Sequence, residues 1–238
     1  GYVLARVVVP EQRIVDGQAR LQAVEGRIAR VVIRGEVPGR RALLEAYGAR
    51  IQASQPLRAD VLERYLLLMN DLSGSLAQAT VRAAPDAPGA AELLIDFSSR
   101  PMDAHVELNN RGSRALGPWR VEADLALHSP LKRFDQARLT LASTPDEELR
   151  LASLAYEMPL GTDGLLAGLT ATVARARPDI GPDADLRTRS GSAQARLSYP
   201  LWRSRSQNLY LRCTLSWLDG RTEVAGLPLT RDRVRALR

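Results

Sequence analysis

From Pro101 to the end of the chain, apolar and polar residues alternate in one segment after another. Alternation with a period of two places successive side chains on opposite faces of a β-strand. The pattern therefore predicts seven strands, each with one apolar and one polar face. They occupy residues 103–112, 119–127, 135–143, 148–158, 165–176, 192–201 and 208–217. The fourth run is the least regular, and we expect a β-bulge in it. The basic stretch up to Asn208 is turn-like.

The first hundred residues have a different pattern. Residues 2–9 and the segment after the Asp16–Gly17 turn predict a β-hairpin. Between residues 58 and 72, apolar residues recur at helical spacing and form one face of a helix that stops at Ser73–Gly74. Residues 27–99 as a whole predict the order strand–helix–helix–strand–strand. We expect a compact α+β unit in which two helices cover one face of a sheet.

The repeated strands favour a membrane barrel over a soluble sheet. Each run has about ten residues, which is the length that a tilted strand needs to cross a bilayer. The polar side of the runs is charged, as in a barrel whose lumen is wet. A soluble β-sandwich or β-solenoid also alternates and is the alternative. The low aromatic content of 5% counts against a barrel, because membrane barrels usually carry aromatic girdles.

Composition excludes several classes of function. No run of 18 apolar residues is present, and the single cysteine, Cys213, allows no intrachain disulfide. Its place in an alternating run suggests a packing role. The net charge of +6 is spread thinly, which argues against a nucleic-acid-binding arm. His105 and His128 stand outside any metal-binding spacing, and no nucleophile elbow or phosphate-binding loop occurs. We predict no enzyme, no metal and no cofactor.

Three stretches resemble one known family. Residues 1–28 resemble the last two strands of a polypeptide-transport-associated (POTRA) domain, through Pro10, Gln12, the Asp16–Gly17 turn and the Val24–Gly26 close. The stretch LRADVLERYLLLMNDLSG and the two strands after it resemble a second POTRA domain. The stretches NNRGSRALGPWR, LASLAYEMPLGTDGL and ARLSYPLWRSRSQNL resemble the first barrel strands. The family is that of two-partner secretion transporters of the outer membrane, of the haemolysin-activator and filamentous-haemagglutinin-transporter type.

The resemblance implies a fold class of α+β POTRA domain followed by part of an antiparallel transmembrane β-barrel. The domains would be residues 1–26 as the end of a first POTRA domain, 27–100 as a second, and 101–238 as the first barrel strands. The family's barrel has more strands, so we expect a fragment of a longer protein. The implied function is export, without ATP, of a large exoprotein with an N-terminal secretion domain. The POTRA part would lie in the periplasm and the barrel in outer-membrane lipid, with no nucleic acid involved. The alternatives are an insertase that assembles outer-membrane proteins, and an enzyme or adhesin anchored by the barrel.

Two sets of residues are candidates for contact with the exoprotein. The first is the edge strand 76–82, where Gln78 is expected to offer a free backbone donor, together with the neighbouring helix. Its members are Leu76, Gln78, Thr80, Tyr65 and Met69; the simplest interpretation of the two helical residues is core packing. The second is the polar face of the strands, which would line the lumen. Its members are Arg120, Glu122, Asp124, Arg138, Arg196 and Arg212.

Overall fold

The computed structural model describes residues 1–13, 17–84, 90–181 and 185–238, and these fall into two compact units. The first unit comprises Gly1–Ser99 together with the short segment Trp202–Leu209. The second unit comprises Arg100–Leu201 and Tyr210–Arg238.

The first unit contains five strands and two helices among its described residues. They are β1 (Arg6–Val8), β2 (Gln22–Val24), β3 (Arg27–Arg34), α1 (Arg41–Gln52), α2 (Ala59–Asn70), β4 (Ser75–Ala83) and β5 (Ala90–Ser99). From β3 onward, this is the predicted order. β1 and β2 pair antiparallel, as a hairpin requires. Asp16, at the predicted turn of that hairpin, lies outside the described residues.

The core of the first unit forms around β5. The sheet order is β3-β5-β4, with β5 parallel to β3 and antiparallel to β4. The sequence AAELLIDFSS lacks strict alternation because a central strand is covered on both faces. Leu93, Leu94 and Ile95 are accordingly almost wholly buried, as are Leu44 and Tyr47 of α1. Full burial of one such side chain stabilises a fold by about 1.5–3 kcal/mol.

Gly35 ends β3 at a point where no other residue fits. Its φ angle is +94°, a conformation that L side chains rarely adopt. A Cβ atom at this position would also lie 2.1 Å from the carbonyl oxygen of Phe97. The glycine therefore allows the backbone that leaves β3 to pass directly against β5.

The second unit is one antiparallel sheet of eight strands in chain order. Its strands are β6 (Met102–Asn109), β7 (Arg120–His128), β8 (Gln136–Ser143), β9 (Leu149–Leu160), β10 (Leu165–Ala176), β11 (Leu186–Arg203), β12 (Asn208–Val224) and β13 (Leu227–Leu237). No α-helix in the described part of the chain is long and apolar enough to cross a membrane.

Three expectations about these strands are wrong. Trp202 and Arg203, which lie beyond the predicted strand and read as turn-like, complete the long strand β11. β13 is an eighth strand that the pattern did not predict, because its sequence LPLTRDRVRAL is charged. The bulge expected in β9 is absent, since β9 keeps a continuous register with both neighbours. The register shifts instead between Thr222 and Glu223 of β12.

Candidate functional site

One face of the eight-stranded sheet, which we call the apolar face, is exposed and aliphatic. The register places Leu125 opposite Leu139, Leu139 opposite Leu154, and Leu154 opposite Ala171. Alternation along each strand adds the members Leu169 and Leu197 to the same face. Leu169 is 62% exposed and Leu211 on β12 is 61% exposed. In water, such an exposed aliphatic surface would be unfavourable.

The opposite face, which we call the polar face, carries a ladder of hydrogen-bonding side chains. Asp124 lies opposite Thr140, which lies opposite Ser153, which lies opposite Thr172. The Thr140 hydroxyl donates to Asp124 Oδ1 at 2.6 Å, and the hydroxyl oxygens of Ser153 and Thr172 are 2.8 Å apart. Cross-strand pairs of this kind stabilise a sheet without an apolar core on that side.

Two of the predicted lumen residues meet in one cleft. Arg138 and Arg196 line a space of about 130 Å³ on the polar face, together with Glu157. Gly168, which is the register partner of both Arg196 and Glu157, forms the floor of the cleft. The sequence did not single out Glu157, although its place between Met158 and Tyr156 in an alternating strand carries the signal. The cleft therefore contains two cations and one anion.

The other predicted lumen residues form separate contacts. Arg120 pairs with Glu122 at 2.8 Å on β7. Asp124 belongs to the hydroxyl ladder described above. The Arg212 guanidinium carbon lies 5.2 Å from the ring centre of Tyr210, a cation–π contact on β12. The mixture of charges is therefore distributed along the polar face instead of being concentrated at one point.

β4 is one of the two edge strands of the three-stranded sheet, β3 being the other. The side chain of Asn70 accepts a hydrogen bond from the Ala77 N–H at 3.0 Å and donates one to the Ala77 carbonyl at 3.1 Å. In an antiparallel pair, both backbone groups of a residue point to the same side. The Ala84 N–H donates a hydrogen bond to the carbonyl oxygen of Ala90 on β5. The backbone N–H and C=O groups of the even-numbered residues of β4 therefore point toward β5. Odd-numbered residues from Ala79 to Ala83 therefore face the free edge.

This geometry changes the prediction for the edge. Gln78 is even-numbered, so its backbone N–H points to β5 and is not a free donor, contrary to the expectation. The side chains of Leu76, Gln78 and Thr80 are nevertheless exposed, with Leu76 at 51%. Ala79 is the first residue of the edge beyond the Asn70 cap.

The two helical candidates are placed differently. Met69 is fully buried and belongs to the core of the first unit. Tyr65 is half-buried, and its ring centre lies 5.7 Å from that of Tyr47 on α1. Their position supports core packing, the simplest interpretation from the sequence.

At the start of the same helix, the hydrogen bond from Arg58 holds the pKa of Asp60 below its usual value.

The segment Trp202–Leu209 brings a second set of charges to α2 within the first unit. The Arg203 guanidinium donates two hydrogen bonds of 2.7 Å to the carboxylate of Asp71. The backbone N–H of Arg205 donates to Glu63 Oε1 at 2.8 Å. The side chain of Arg203 is 15% exposed and that of Asp71 is 35% exposed, so this bidentate pair is partly shielded from water. Sequence reasoning missed it because 132 residues separate the partners.

Metal-binding chemistry finds no support in the part of the chain that the structure describes. No group of three or more His, Cys, Asp or Glu side chains is placed to hold an ion there. His128 Nε2 lies 2.9 Å from Asp103 Oδ2, and Asp103 also pairs with Arg100. Cys213 is exposed, so the packing role expected for it is wrong.

Comparison with known proteins decides the family. The family model described as "Haemolysin secretion/activation protein ShlB/FhaC/HecB" matches residues 94–237. The chain belongs to this family. The resemblance found in the sequence is thereby confirmed. Among curated relatives of this ShlB/FhaC/HecB protein, the heme/hemopexin transporter protein HuxB of Haemophilus influenzae is 24% identical over 176 residues, which are 71% of this chain and 30% of HuxB. The chain thus spans about a third of the relatives' length.

Solved structures agree with the family at the level of the fold. CdiB from Escherichia coli is similar with a TM-score of 0.76 at 16% identity, over 100% of this chain and 45% of CdiB. CdiB from Acinetobacter baumannii is similar with a TM-score of 0.64 at 17% identity, over 100% of this chain and 46% of that protein. BamA from Haemophilus ducreyi, lacking POTRA domains 1–3, is similar with a TM-score of 0.60 at 10% identity, over 100% of this chain and 48% of that protein. The expected antiparallel barrel strands are thereby confirmed.

Proposed function

We propose that this chain is part of an outer-membrane translocator that exports a large exoprotein by two-partner secretion, without ATP. The observation that carries the proposal is the eight-stranded sheet of a ShlB/FhaC/HecB protein with one exposed aliphatic face and one polar face. An aliphatic face of this kind suits lipid, and a charged face suits a water-filled lumen. The HuxB relative is named a transporter, which supports transport over catalysis.

In this proposal the first unit lies in the periplasm and serves as a POTRA domain. Its two helices and three-stranded sheet support that assignment. The exoprotein, which carries an N-terminal secretion domain, arrives unfolded with unpaired backbone groups. The β4 edge from Ala79 to Ala83 offers backbone groups of the same kind, and strand addition satisfies both sets. Leu76, Gln78 and Thr80 lie on the strand and contact the added chain.

The cleft formed by Arg138, Arg196 and Glu157 is the next part of the proposed route. Its two cations and one anion bind a passing chain of either charge weakly, which favours movement over retention. Arg120, Glu122, Asp124 and Arg212 extend this mixed lining along the polar face. No part of the route requires nucleic acid, a metal or a cofactor.

An insertase that assembles outer-membrane proteins is the second candidate. The likeness to BamA shows a shared fold, but the family model and the HuxB relative favour secretion.

The experiment is a secretion assay of the full-length protein with its exoprotein in a strain that lacks the wild-type gene. Wild-type protein should restore the exoprotein to the medium, and its absence should leave the exoprotein in the periplasm. Normal secretion without the protein would contradict the proposal. A general loss of other barrel proteins from the membrane would instead favour the insertase.

The edge is tested in the same assay by Ala79→Pro, which removes a free-edge donor and leaves the β4–β5 ladder in place. It should lower secretion with an unchanged amount of protein in the membrane. Ala79→Ser retains the donor and is the matched control, which should secrete like wild type. Gln78→Pro should instead lower the protease resistance of the first unit, because its donor faces β5. Wild-type secretion by Ala79→Pro would reject the edge.

A further inference from the structure

Three arginines stand side by side at one end of the apolar face. The register places Arg150 directly opposite Arg175, and Arg175 directly opposite Arg189. Each lies an even number of residues from Leu154, Ala171 or Ala193 on its own strand, so all three are on the apolar face, and all three are exposed. Like charges directly opposite each other destabilise a sheet. An anion bound from outside the sheet would therefore stabilise a row of three arginines.

Acids of the chain compensate this row only in part. Arg150 pairs with Glu147. Arg175 and Arg189 have no ion-pair partner among the residues that the structure describes. Asp219 on β12 is already shared by Arg221, Arg231 and Arg233, at 3.8, 3.5 and 3.0 Å. The end of the apolar face thus keeps a surplus of guanidinium groups.

A groove joins these arginines to the aliphatic surface below them. It has a volume of about 610 Å³, with Arg150, Arg175 and Arg189 in one row of its lining and Ala152 and Val173 in the next. Asp219 and Arg221 line it too, and the Asp219 carboxylate is already neutralised by its three arginine partners. Gly191 lies in the same groove, and no atom lies within 4 Å of the place where a Cβ would stand. The groove is therefore cationic at one end, aliphatic at the other, and open in the middle. An anionic headgroup with an acyl chain has the same distribution of chemistry.

The position of the groove along the strands indicates which leaflet of the membrane it faces. Barrels have short periplasmic turns and longer extracellular loops. β9, β10 and β11 carry Arg150, Arg175 and Arg189 at the end where residues 177–185 join β10 to β11. The other end carries the short turns 161–164 and 204–207. On the proposed function, the arginines therefore stand at the outer leaflet, where the aliphatic band ends.

We propose that this arginine groove binds the phosphate groups of a phosphorylated lipid of the outer leaflet, with an acyl chain against Ala152 and Val173. Guanidinium groups hold phosphate through paired, charge-assisted hydrogen bonds. Bound phosphate removes the repulsion between Arg150, Arg175 and Arg189, so the lipid stabilises this end of the sheet. The proposal rests on the membrane placement in the proposed function and is separate from the transport step.

The test is titration of the purified full-length protein in detergent micelles with bisphosphorylated lipid A, by microscale thermophoresis. The double variant Arg175→Gln with Arg189→Gln should bind roughly 30-fold more weakly, as expected for the loss of two arginines from an anionic-lipid site. Arg187→Gln, on the same strand but outside the groove, where Arg187 pairs with Asp185, is the matched control and should bind like wild type. Without lipid, the double variant should melt at the same temperature or higher, because repulsion is removed.

Two further ligands separate the sources of phosphate. Lipid A without its phosphates should bind no better to wild type than to the double variant, and inorganic phosphate should compete only at far higher concentration. Equal binding of bisphosphorylated lipid A by wild type and double variant would overturn the proposal. So would competition by inorganic phosphate at equal concentration, which would indicate a site for the free ion. Secretion is measured in a separate assay, so failure of lipid binding and failure of transport are distinguishable.

Discussion

Leu169 and Thr170 are neighbours on β10 with opposite environments. Leu169 lies on the apolar face, and Thr170 lines the polar cleft. We predict that Leu169→Arg lowers the free energy of unfolding in lipid vesicles by about 2–4 kcal/mol, because the charge then faces lipid near the middle of the band. Thr170→Arg should change it much less, because the new charge stays hydrated in the cleft and Glu157 offsets part of the repulsion from Arg138 and Arg196. Urea titration of the full-length protein measures both, and equal costs would contradict the assignment of the two faces.

Gly35 gives a second prediction for a single residue. Gly35→Ala should lower the free energy of unfolding of the first unit by more than the roughly 1–2 kcal/mol that a left-handed backbone costs. The excess comes from the carbonyl of Phe97, which lies where the new Cβ would be. Gly17→Ala is the control, because Gly17 also has a positive φ of +74° but no atom near its Cβ position. Equal costs in denaturant unfolding would show that the close approach to β5 is unimportant.

At the scale of elements, the pair Arg203–Asp71 ties the segment Trp202–Leu209 to the end of α2 within the first unit. A double-mutant cycle with Arg203→Ala and Asp71→Ala should give a coupling energy of about 1 kcal/mol, at the upper end for partly exposed pairs, because the contact is bidentate and partly shielded. The Arg58–Asp60 pair is a control with both side chains more than half exposed, and its coupling should be smaller. Thermal unfolding of the full chain measures both cycles. A coupling near zero for Arg203–Asp71 would contradict the tie.

Most elements could be predicted from periodicity, and the exceptions have physical reasons. β10 was predicted at its observed bounds, because Leu165 to Val173 alternate with small or polar residues. β13 was not predicted, because arginines replace aliphatic residues at positions 231, 233 and 235. These arginines are exposed, so the usual apolar signal of a strand is missing there. Trp202 and Arg203 were interpreted as turn-like because they open the basic, serine-containing stretch WRSRSQN, whose composition is common in turns.

The direction of backbone donors could not be obtained from the sequence at all. Side-chain alternation predicted that Leu76 and Gln78 would share a face, and both are exposed. Which residues of β4 donate outward depends on the pairing with β5 and on the Asn70 cap, two contacts that periodicity does not encode. The residue assigned as the free backbone donor of the edge therefore changes from Gln78 to Ala79.

At the scale of the whole molecule, the sequence predicted the polar set but not its assembly. Arg138 and Arg196 are 58 positions apart and meet because β9 and β10 lie between them in fixed register. The same register assembles the arginine groove on the other face from three strands. A one-residue slip in any strand would exchange the faces, so both surfaces depend on the same pairing.

The measurement that tests the account most directly is site-specific photocrosslinking during secretion by the full-length protein. A benzophenone amino acid is placed at Arg196, in the polar cleft, or at Leu197, the next residue on the apolar face. With the exoprotein stalled in transit, position 196 should crosslink to the exoprotein and position 197 should not. Crosslinks to the exoprotein from position 197 alone, or from neither position while secretion proceeds, would contradict the claim that the polar face lines the path of export.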